Sequence, residues 1–204
     1  MPPIYHITHI ANLASIIEQG RLWSDARRIA LGLANTNIGY SHIKSRRLRH
    51  PVGVSALGTL GQYVPFNFCP RSVMLYVVSK GHADYGGDQG SVLHLVSSVA
   101  TVLATGRPHF FTDRHADLGY ARQFDDLTLL ADEVDWAAMP VRQWGGDQDL
   151  KERRQAEFLV HDWLPWEAVE EIGVMSPATA EAAQAMLADV EHKPHVVVRR
   201  DWYY

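Results

Sequence analysis

Short β-rich runs lie between short helical patterns along the whole chain, without the regular succession of strand, helix and strand that builds a parallel sheet. Runs rich in β-branched and aromatic residues are typical of strands. An irregular mixture of such runs with helices favours an α+β fold with a mixed or antiparallel sheet. The chain has 204 residues, of which 47% are hydrophobic. It can therefore bury one substantial core, and we expect a single domain over residues 1–204.

The predicted strands share a high content of valine, isoleucine and aromatic residues. They are the segments "IYHITHI", "SVMLYVVSK", "GSVLHLVSS", "HFFTDRHA", "AEFLV", "VEEIGVMS" and "HVVVRRDWYY". Apolar residues at helical spacing predict a helix in "NLASIIEQG", which Gly20 ends, and helices over most of residues 117–139 and around residues 178–190. The segment "GYSHIKSRRLRHPVGV" is expected to be helical or irregular and to end before Pro51. "VRQWGGDQDLKERR" is expected to be a polar loop.

Charge and cysteine content exclude several classes of protein. The net charge of −4 and the pI of about 6.2 give no overall nucleic-acid signature, so any such binding must depend on local patches. A single cysteine, Cys69, excludes an internal disulfide framework. No secretory signal and no long apolar segment are recognisable, so we expect a soluble, cytoplasmic protein.

The stretch "KERRQAEFLVHDWLPW" places a carboxylate inside an apolar run. In an extended segment alternate side chains share one face. Phe158 and Val160 are then expected to face the core, whereas Gln155 and Glu157 lie side by side on the opposite wall. An amide next to a carboxylate on one wall indicates a candidate site.

An ion pair is the alternative role for Glu157. The candidate partners are Arg153 and Arg154. In an extended chain Arg153 lies on the same face as Glu157, whereas Arg154 points to the opposite face. The residue pattern by itself leaves the catalytic and the structural interpretation equally open.

The opening strand also carries polar residues that can bind a ligand. His6 and Thr8 project from one face of "YHITHI", and Tyr5 and His9 project from the other. A lone strand histidine is more often structural than ligand-binding. Two polar residues on one face, just before a helix, can nevertheless bind the amide of a flat heterocycle or the hydroxyls of a ribose.

Two basic clusters stand out in this mildly acidic chain. "HIKSRRLRH" contains Arg46, Arg47 and Arg49, and "KERR" spans residues 151–154. Such runs usually form a solvated face, but they can also clamp a pyrophosphate or a nucleic-acid backbone. Because "KERR" adjoins Glu157, the two clusters predict a basic rim around an acidic centre.

Several common motifs are absent. The chain has no G-x-G-x-x-G after a strand, no P-loop and no H-E-x-x-H. The pairs His6/His9 and His192/His195 lack further ligands at a recognisable spacing, so no metal is expected. Cys69 lacks the neighbours of a catalytic thiol.

Gln-x-Glu on a strand, after a polar loop, resembles the catalytic signature of ADP-ribosyltransferases, which bind NAD without a glycine-rich dinucleotide motif. Seven segments resemble, in the same order, those of the DarT family: "YHITHIANLASIIEQG", "YSHIKSRR", "YVPFNFCPRSVMLY", "LHLVSS", "FTDRHA", "KERRQAEFLV" and "RRDWYY". This resemblance spans Ile4 to Tyr204. DarT proteins are toxins that ADP-ribosylate DNA bases and are paired with DarG, a macrodomain antitoxin.

The resemblance implies an ADP-ribosyltransferase-like α+β fold, with mixed or antiparallel central sheets and flanking helices. It implies NAD as a co-substrate, no metal, and thymidine in single-stranded DNA as the acceptor. Carried over by position, it makes Glu157 the catalytic glutamate and Arg47 the second essential residue. The residues implied to hold NAD are His6, Thr8, His9, Asn12, Met74, Tyr76 and His115. The residues expected to contact DNA are Arg46, Trp144, Lys151, Arg153 and Arg154.

The expected reaction breaks the bond between nicotinamide and the ribose, so positive charge grows on the ribose and a carboxylate stabilises it. Thymine N3 must lose a proton, which a carboxylate can accept. A base that reacts at its edge must be exposed, which favours a single-stranded substrate. Trp144 is a candidate stacking surface for such a base, and the equally weighted alternative is that it only anchors its own loop.

Three other functions remain open from the sequence. The first is a transferase that modifies RNA or protein. The second is a non-catalytic nucleotide- or nucleic-acid-binding module, which would keep "YHITH" without needing Glu157. The third is a structural protein in which Glu157 is merely ion-paired.

Overall fold

A computed structural model describes the whole chain, Met1–Tyr204. The ten strands are β1 (Pro3–His9), β2 (Arg21–Trp23), β3 (Tyr63–Asn67), β4 (Val92–Ser98), β5 (His109–His115), β6 (Gln123–Phe124), β7 (Ala156–His161), β8 (Trp163–Pro165), β9 (Glu171–Val174) and β10 (His195–Val198). The eight α-helices are α1 (Leu13–Glu18), α2 (Asp25–Ala30), α3 (Ser41–Arg47), α4 (Val73–Lys80), α5 (Val99–Ala104), α6 (Leu130–Glu133), α7 (Gln148–Arg153) and α8 (Pro177–Met186). None of these helices has both the length and the apolar character needed to span a bilayer.

One eight-stranded sheet organises the molecule, in the order β10-β9-β4-β1-β3-β7-β5-β6. Every neighbouring pair is antiparallel except β9 with β10, which is parallel. Strands β2 and β8 form a separate two-stranded ribbon. The expectation of an α+β fold with a mixed sheet is therefore confirmed.

The central strands separate at one point. Strands β1 and β4 are paired along seven residues, whereas β1 and β3 share only the pair Tyr5↔Asn67. The short β1–β3 ladder leaves backbone groups of β3 available to side chains. The Pro65 carbonyl is one of these, since it lies 2.8 Å from Nδ1 of His6.

Strand β7 is buried on both faces, and its alternate side chains pack in two different hydrophobic clusters. Phe158 and Val160 lie in the main hydrophobic cluster, together with Phe66 and Phe111 of the neighbouring strands. Leu159 faces the other way and lies in a second cluster with Tyr63 and Phe110. The predicted separation of faces is confirmed, and Glu157 lies on the same side as Leu159.

The prediction of a strand in "SVMLYVVSK" is wrong, because this segment is helix α4. The Ser72 hydroxyl accepts a hydrogen bond from the Leu75 N–H and caps the helix, and Gly81, at φ 73°, follows its last residue. The β-branched residues favour a strand locally, but capping and the burial of Val73, Leu75 and Val78 outweigh that preference.

Three other predicted segments are shorter or more regular than expected. Only residues 127–133 of the segment 117–139 are helical, as a 3₁₀ turn followed by α6. The expected loop before β7 contains helix α7, whose first turn Asp147 caps through the Leu150 N–H. Of the expected strand "HVVVRRDWYY", only His195–Val198 is extended, and Arg200–Trp202 form a 3₁₀ turn. The remaining expected strands and helices form with small shifts of their ends, and α3 ends at Arg47, before Pro51.

A buried histidine gives the fold a predictable pH dependence. His94 is fully buried, with Nε2 2.9 Å from the Pro70 carbonyl and Nδ1 3.2 Å from the Tyr203 hydroxyl. Burial lowers the pKa of His94 from 6.5 to about 4, although carbonyl contacts oppose the shift. Between these pH values the unfolded chain binds a proton that the folded chain does not, so stability falls as the pH drops through this window.

We expect wild-type stability to fall by up to about 3 kcal/mol more than that of His94→Gln as the pH drops from 6.5 to about 4. The measurement is urea unfolding of both proteins at about pH 7.5 and about pH 4. An identical pH dependence in the two proteins would contradict the assignment to His94.

Candidate active site

Glu157 lies near the start of β7 and is 5% exposed. Its backbone N–H donates to the Thr112 hydroxyl of β5 at 3.1 Å. Asn67 of β3 is its direct partner across the strand pair. The carboxylate therefore projects from a strand that is held on both sides, which fixes its position.

Helix α3 supplies the partner of this carboxylate. Arg47 Nη1 donates to Oε1 of Glu157 at 3.0 Å, and Nη2 donates to Oε2 at 2.9 Å. The alternative in which Arg153 or Arg154 pairs with Glu157 does not occur, because Arg47 occupies both carboxylate oxygens. Parallel two-point contact of this kind fixes the orientation of the carboxylate as well as its charge. The two residues proposed as the catalytic pair thus meet directly.

The end of β5 adds two further contacts to Glu157. The Ala116 N–H donates to Oε1 at 3.1 Å, and Nε2 of His115 lies 3.9 Å from the same oxygen. Burial raises the pKa of Glu157, but the charge and hydrogen bonds of Arg47, the charge that His115 carries when it is protonated at acidic pH, and the Ala116 N–H lower it by more. The net pKa lies below its usual range, so the group is a carboxylate at neutral pH.

The histidine and the arginine are shifted by the same surroundings. Burial lowers the pKa of His115, although the charge of Glu157 opposes this shift. For Arg47, burial lowers the pKa but Glu157 raises it by more, so the guanidinium stays charged. The site therefore holds one negative and one positive charge with a neutral imidazole beside them.

A buried carboxylate fastens α3 to the end of β5. Asp117 has no exposed side-chain surface; it is ion-paired with Arg46, and its Oδ1 lies 3.5 Å from Nδ1 of His50. Because Arg46 precedes Arg47, this contact also holds Arg47 near Ala116.

The candidate NAD-binding residues on β1 are linked to the loop before α3. Asn12 donates to the Thr8 hydroxyl and to the Thr36 carbonyl, both at 3.0 Å, and accepts from the Thr36 N–H at 2.8 Å. Burial lowers the pKa of His6, although the hydrogen bond from the imidazole to the Pro65 carbonyl opposes this shift. These contacts connect the end of β1 with the chain segment before α3, the helix that carries Arg47.

His9 and helix α4 supply the remaining candidate groups. Nδ1 of His9 accepts from the Ala11 N–H at 3.0 Å, and burial lowers the pKa of His9. Met74 is 36% exposed, so part of this residue is accessible. The Tyr76 ring lies 5.1 Å from the rings of Trp144 and Tyr204, in edge contact with both.

Two of the expected DNA contacts are corrected by the structure. Trp144 is 8% exposed and packs on Tyr76, so it anchors its own loop instead of presenting a stacking surface. Arg154 is 2% exposed and donates to carbonyls of Ala138, Met139 and Arg71, which are the partners of an internal guanidinium. The burial of these two residues could not be predicted from the sequence, because polar neighbours do not show which side chain turns inward.

The other basic residues remain nearer the surface. Arg46 is 55% exposed and paired with Asp117. Arg153 is 33% exposed and paired with Asp149 and Asp135. Lys151 lies on α7, partly exposed.

Three contributors to the site were not predicted. The Ala116 N–H, the Thr112 hydroxyl and the Asp117 carboxylate all act on Glu157 or its surroundings. The segment "FTDRHA" marked this region only through His115. A backbone donor leaves no residue signature, so no sequence pattern identifies Ala116.

No cluster of three or more His, Cys, Asp or Glu side chains is placed to hold a metal ion.

Comparison with known proteins places this geometry in a family. Residues 5–204 match the model of the family described as "ssDNA thymidine ADP-ribosyltransferase, DarT". A DNA ADP-ribosyl transferase of Thermus sp. (strain 2.9) is 43% identical over 204 residues, which cover 99% of this chain and 96% of the relative.

Two solved structures of Thermus sp. 2.9 DarT are also similar. The complex with ADP-ribosylated ssDNA has a TM-score of 0.94 at 42% identity, covering 99% of this chain and 96% of that chain. The complex with NAD⁺ has a TM-score of 0.87 at 40% identity, covering 99% of this chain and 97% of that chain. The expected ADP-ribosyltransferase-like fold is therefore confirmed.

Proposed function

Because the chain belongs to the DarT family of ssDNA thymidine ADP-ribosyltransferases, we propose that Glu157 and Arg47 are the residues with which it performs that reaction. The chain is an NAD-dependent enzyme that transfers ADP-ribose to thymidine in single-stranded DNA. The observation that carries the residue assignment is the two-point ion pair between Arg47 and Glu157. RNA, protein and non-catalytic alternatives lose their support, because the family is defined by transfer to DNA.

Glu157 stabilises the positive charge that grows on the ribose as nicotinamide leaves. This role requires an ionised carboxylate, and the lowered pKa of Glu157 favours that form at neutral pH. Its position in a buried strand strengthens the effect, because charges interact more strongly where water is excluded.

Arg47 controls whether the same carboxylate can also accept a proton. While the guanidinium holds both oxygens, the pKa of Glu157 stays low and the group is a weak base. If the guanidinium shifts toward the diphosphate of NAD, burial is left as the largest influence and the pKa rises. Glu157 can then take the proton from thymine N3, while that nitrogen forms the new bond to the ribose carbon and nicotinamide departs.

NAD is held, in this proposal, by side chains around the separation of β1 from β3. The residues assigned to it are His6, Thr8, His9, Asn12, Met74, Tyr76 and His115. The neutral His6 and the Thr8–Asn12 hydrogen bond supply polar groups of the kind that fit an amide or a ribose. The partly exposed Met74 can pack against a flat ring.

Arg46, Lys151 and Arg153 are assigned to the DNA backbone at the rim of the site. Arg46 and Arg153 each have a carboxylate partner, so a phosphate competes with that partner for the guanidinium.

The working unit is proposed to be one domain over residues 1–204, supported by a sheet whose strands come from the first and the last parts of the chain.

The partner is a macrodomain antitoxin of the DarG type, in keeping with the family. We place the activity in the cytoplasm, because the reaction needs NAD and single-stranded DNA together.

The test is incubation with NAD labelled in the ADP-ribose moiety and with separate pools of single-stranded DNA, duplex DNA, RNA and protein. Label is expected on thymine-containing single strands, with release of nicotinamide. Single strands without thymine are the matched control. Label that accumulates on RNA or protein instead would overturn the assignment of the acceptor.

A further inference from the structure

The ribbon of β2 and β8 carries tryptophans on the face directed away from the core. Trp23 and Trp163 are direct cross-strand partners, with ring centroids 6.3 Å apart. Leu22 and Leu164, the neighbouring pair, are buried in the main hydrophobic cluster. Alternation therefore directs Trp23 and Trp163 outward, and both are partly exposed. Outward-facing aromatic pairs mark an interaction surface more often than single exposed residues do.

Three arginines cover these two rings. The Arg21 guanidinium lies 4.9 Å from the Trp23 ring centroid and 4.3 Å from that of Trp163. Arg107 lies 4.3 Å from the Trp163 centroid, and Arg27 lies 5.8 Å from that of Trp23. We name these five residues the Arg–Trp patch.

The arginines of the patch are only partly neutralised. Arg27 is ion-paired with Asp162 at 3.3 Å, whereas Arg107 donates to the His161 carbonyl at 2.8 Å. Burial lowers the pKa of Arg107, Asp162 opposes that shift, and the charge of Arg21 lowers the pKa further. The positive charges of Arg21 and Arg107 thus repel each other, which favours the binding of an anion such as a phosphate at the patch.

We propose that the Arg–Trp patch is a second binding surface for single-stranded DNA, which holds nucleotides flanking the modified thymidine. Guanidinium planes that lie on aromatic rings can stack against bases and can also pair with phosphates, and such binding tolerates different sequences. The inference rests on the proposed function, because it assigns the patch to the same DNA strand.

The patch is connected to the active site along two short paths. His161, whose carbonyl binds Arg107, lies four residues from Glu157 on β7, about 13 Å along a strand. Asp25 follows Trp23 by two residues and accepts a hydrogen bond from Lys44 at 3.2 Å, and Lys44 lies one helical turn before Arg47. One strand of DNA can therefore reach both surfaces.

The test compares two substrates. One is the shortest oligonucleotide that the wild type modifies, and the other is the same oligonucleotide extended on both sides by deoxyadenosine tails. In the double variant Arg21→Gln/Arg107→Gln we expect the KM for the long substrate to rise about tenfold. The slope of its binding constant against salt concentration should fall by an amount that corresponds to the loss of about one phosphate contact or more. The KM for the short substrate, the KM for NAD and kcat should stay unchanged. Arg200→Gln, an exposed arginine after β10, is the matched control.

Equal effects on both substrates, or no effect on either, would overturn the proposal. Unchanged DNA kinetics with weakened antitoxin binding would show that the patch is a protein interface instead. A second measurement needs no variant: bromodeoxyuridine in the tails should photo-crosslink wild-type protein at peptides containing Trp23 or Trp163, and crosslinks only elsewhere would contradict the assignment. Failure of the wild type to modify any thymine-containing oligonucleotide would count against the proposed function, while the crosslinks would still test the patch.

Discussion

Glu157→Gln is expected to lower kcat for ADP-ribose transfer by about 10²–10⁴-fold and to abolish toxicity in a host cell. The amide keeps the size of the side chain but carries no charge to stabilise the ribose and accepts no proton. In the folded protein it also leaves Arg47 with a weaker partner, so we expect a loss of stability of about 1–3 kcal/mol. The measurements are single-turnover transfer to DNA, growth of cells that express the variant, and urea unfolding.

Glu171→Gln is the matched control for this variant. Glu171 is also held by an arginine through two contacts, from Arg199 at 2.9 and 2.8 Å, but it lies on β9, four strands away from β7 across the sheet. The Glu171→Gln variant should be less stable than the wild type but should keep the wild-type kcat. Normal transfer by Glu157→Gln in folded protein would remove Glu157 from the reaction, and a similar loss in both variants would indicate that stability alone is being measured.

Arg47→Ala should lower kcat/KM by about 10²-fold or more, whereas Arg49→Ala should change it only slightly. Arg47 holds both oxygens of Glu157, while Arg49 is an exposed residue of the same basic segment. Arg47→Lys should recover little of the loss, because an ammonium cannot reproduce the parallel two-point contact.

The pH profile separates a direct role of Arg47 from a structural one. In the wild type Arg47 is the strongest influence lowering the pKa of Glu157, against burial, which raises it. Without Arg47 the pKa of Glu157 rises, so the carboxylate becomes protonated at higher pH and the acidic limb of kcat/KM moves upward. An unshifted acidic limb would contradict the electrostatic coupling. Equal losses in Arg47→Ala and Arg49→Ala would indicate a diffuse basic patch.

Strand periodicity made the region of Glu157 predictable. Alternation in "AEFLV" separated Phe158 and Val160 from Glu157 and Leu159, and the structure keeps that separation. The same local reasoning failed for α4, because β-branched composition resembles a strand whether or not a cap and a buried face make it helical. It also failed for Arg154, which lies inside the protein although its neighbours in sequence are charged.

The sequence by itself determined the class of fold, the strand that carries Glu157 and, through seven ordered segments, the family. Those features depend on local composition, spacing and order, which a linear chain displays directly. Only the tertiary structure decided that Arg47, 110 residues away, is the partner of Glu157, and that Ala116 and Asp117 complete its surroundings. The choice among several arginines depends on which helix packs against which strand, and contacts between distant residues leave no periodic pattern in the sequence.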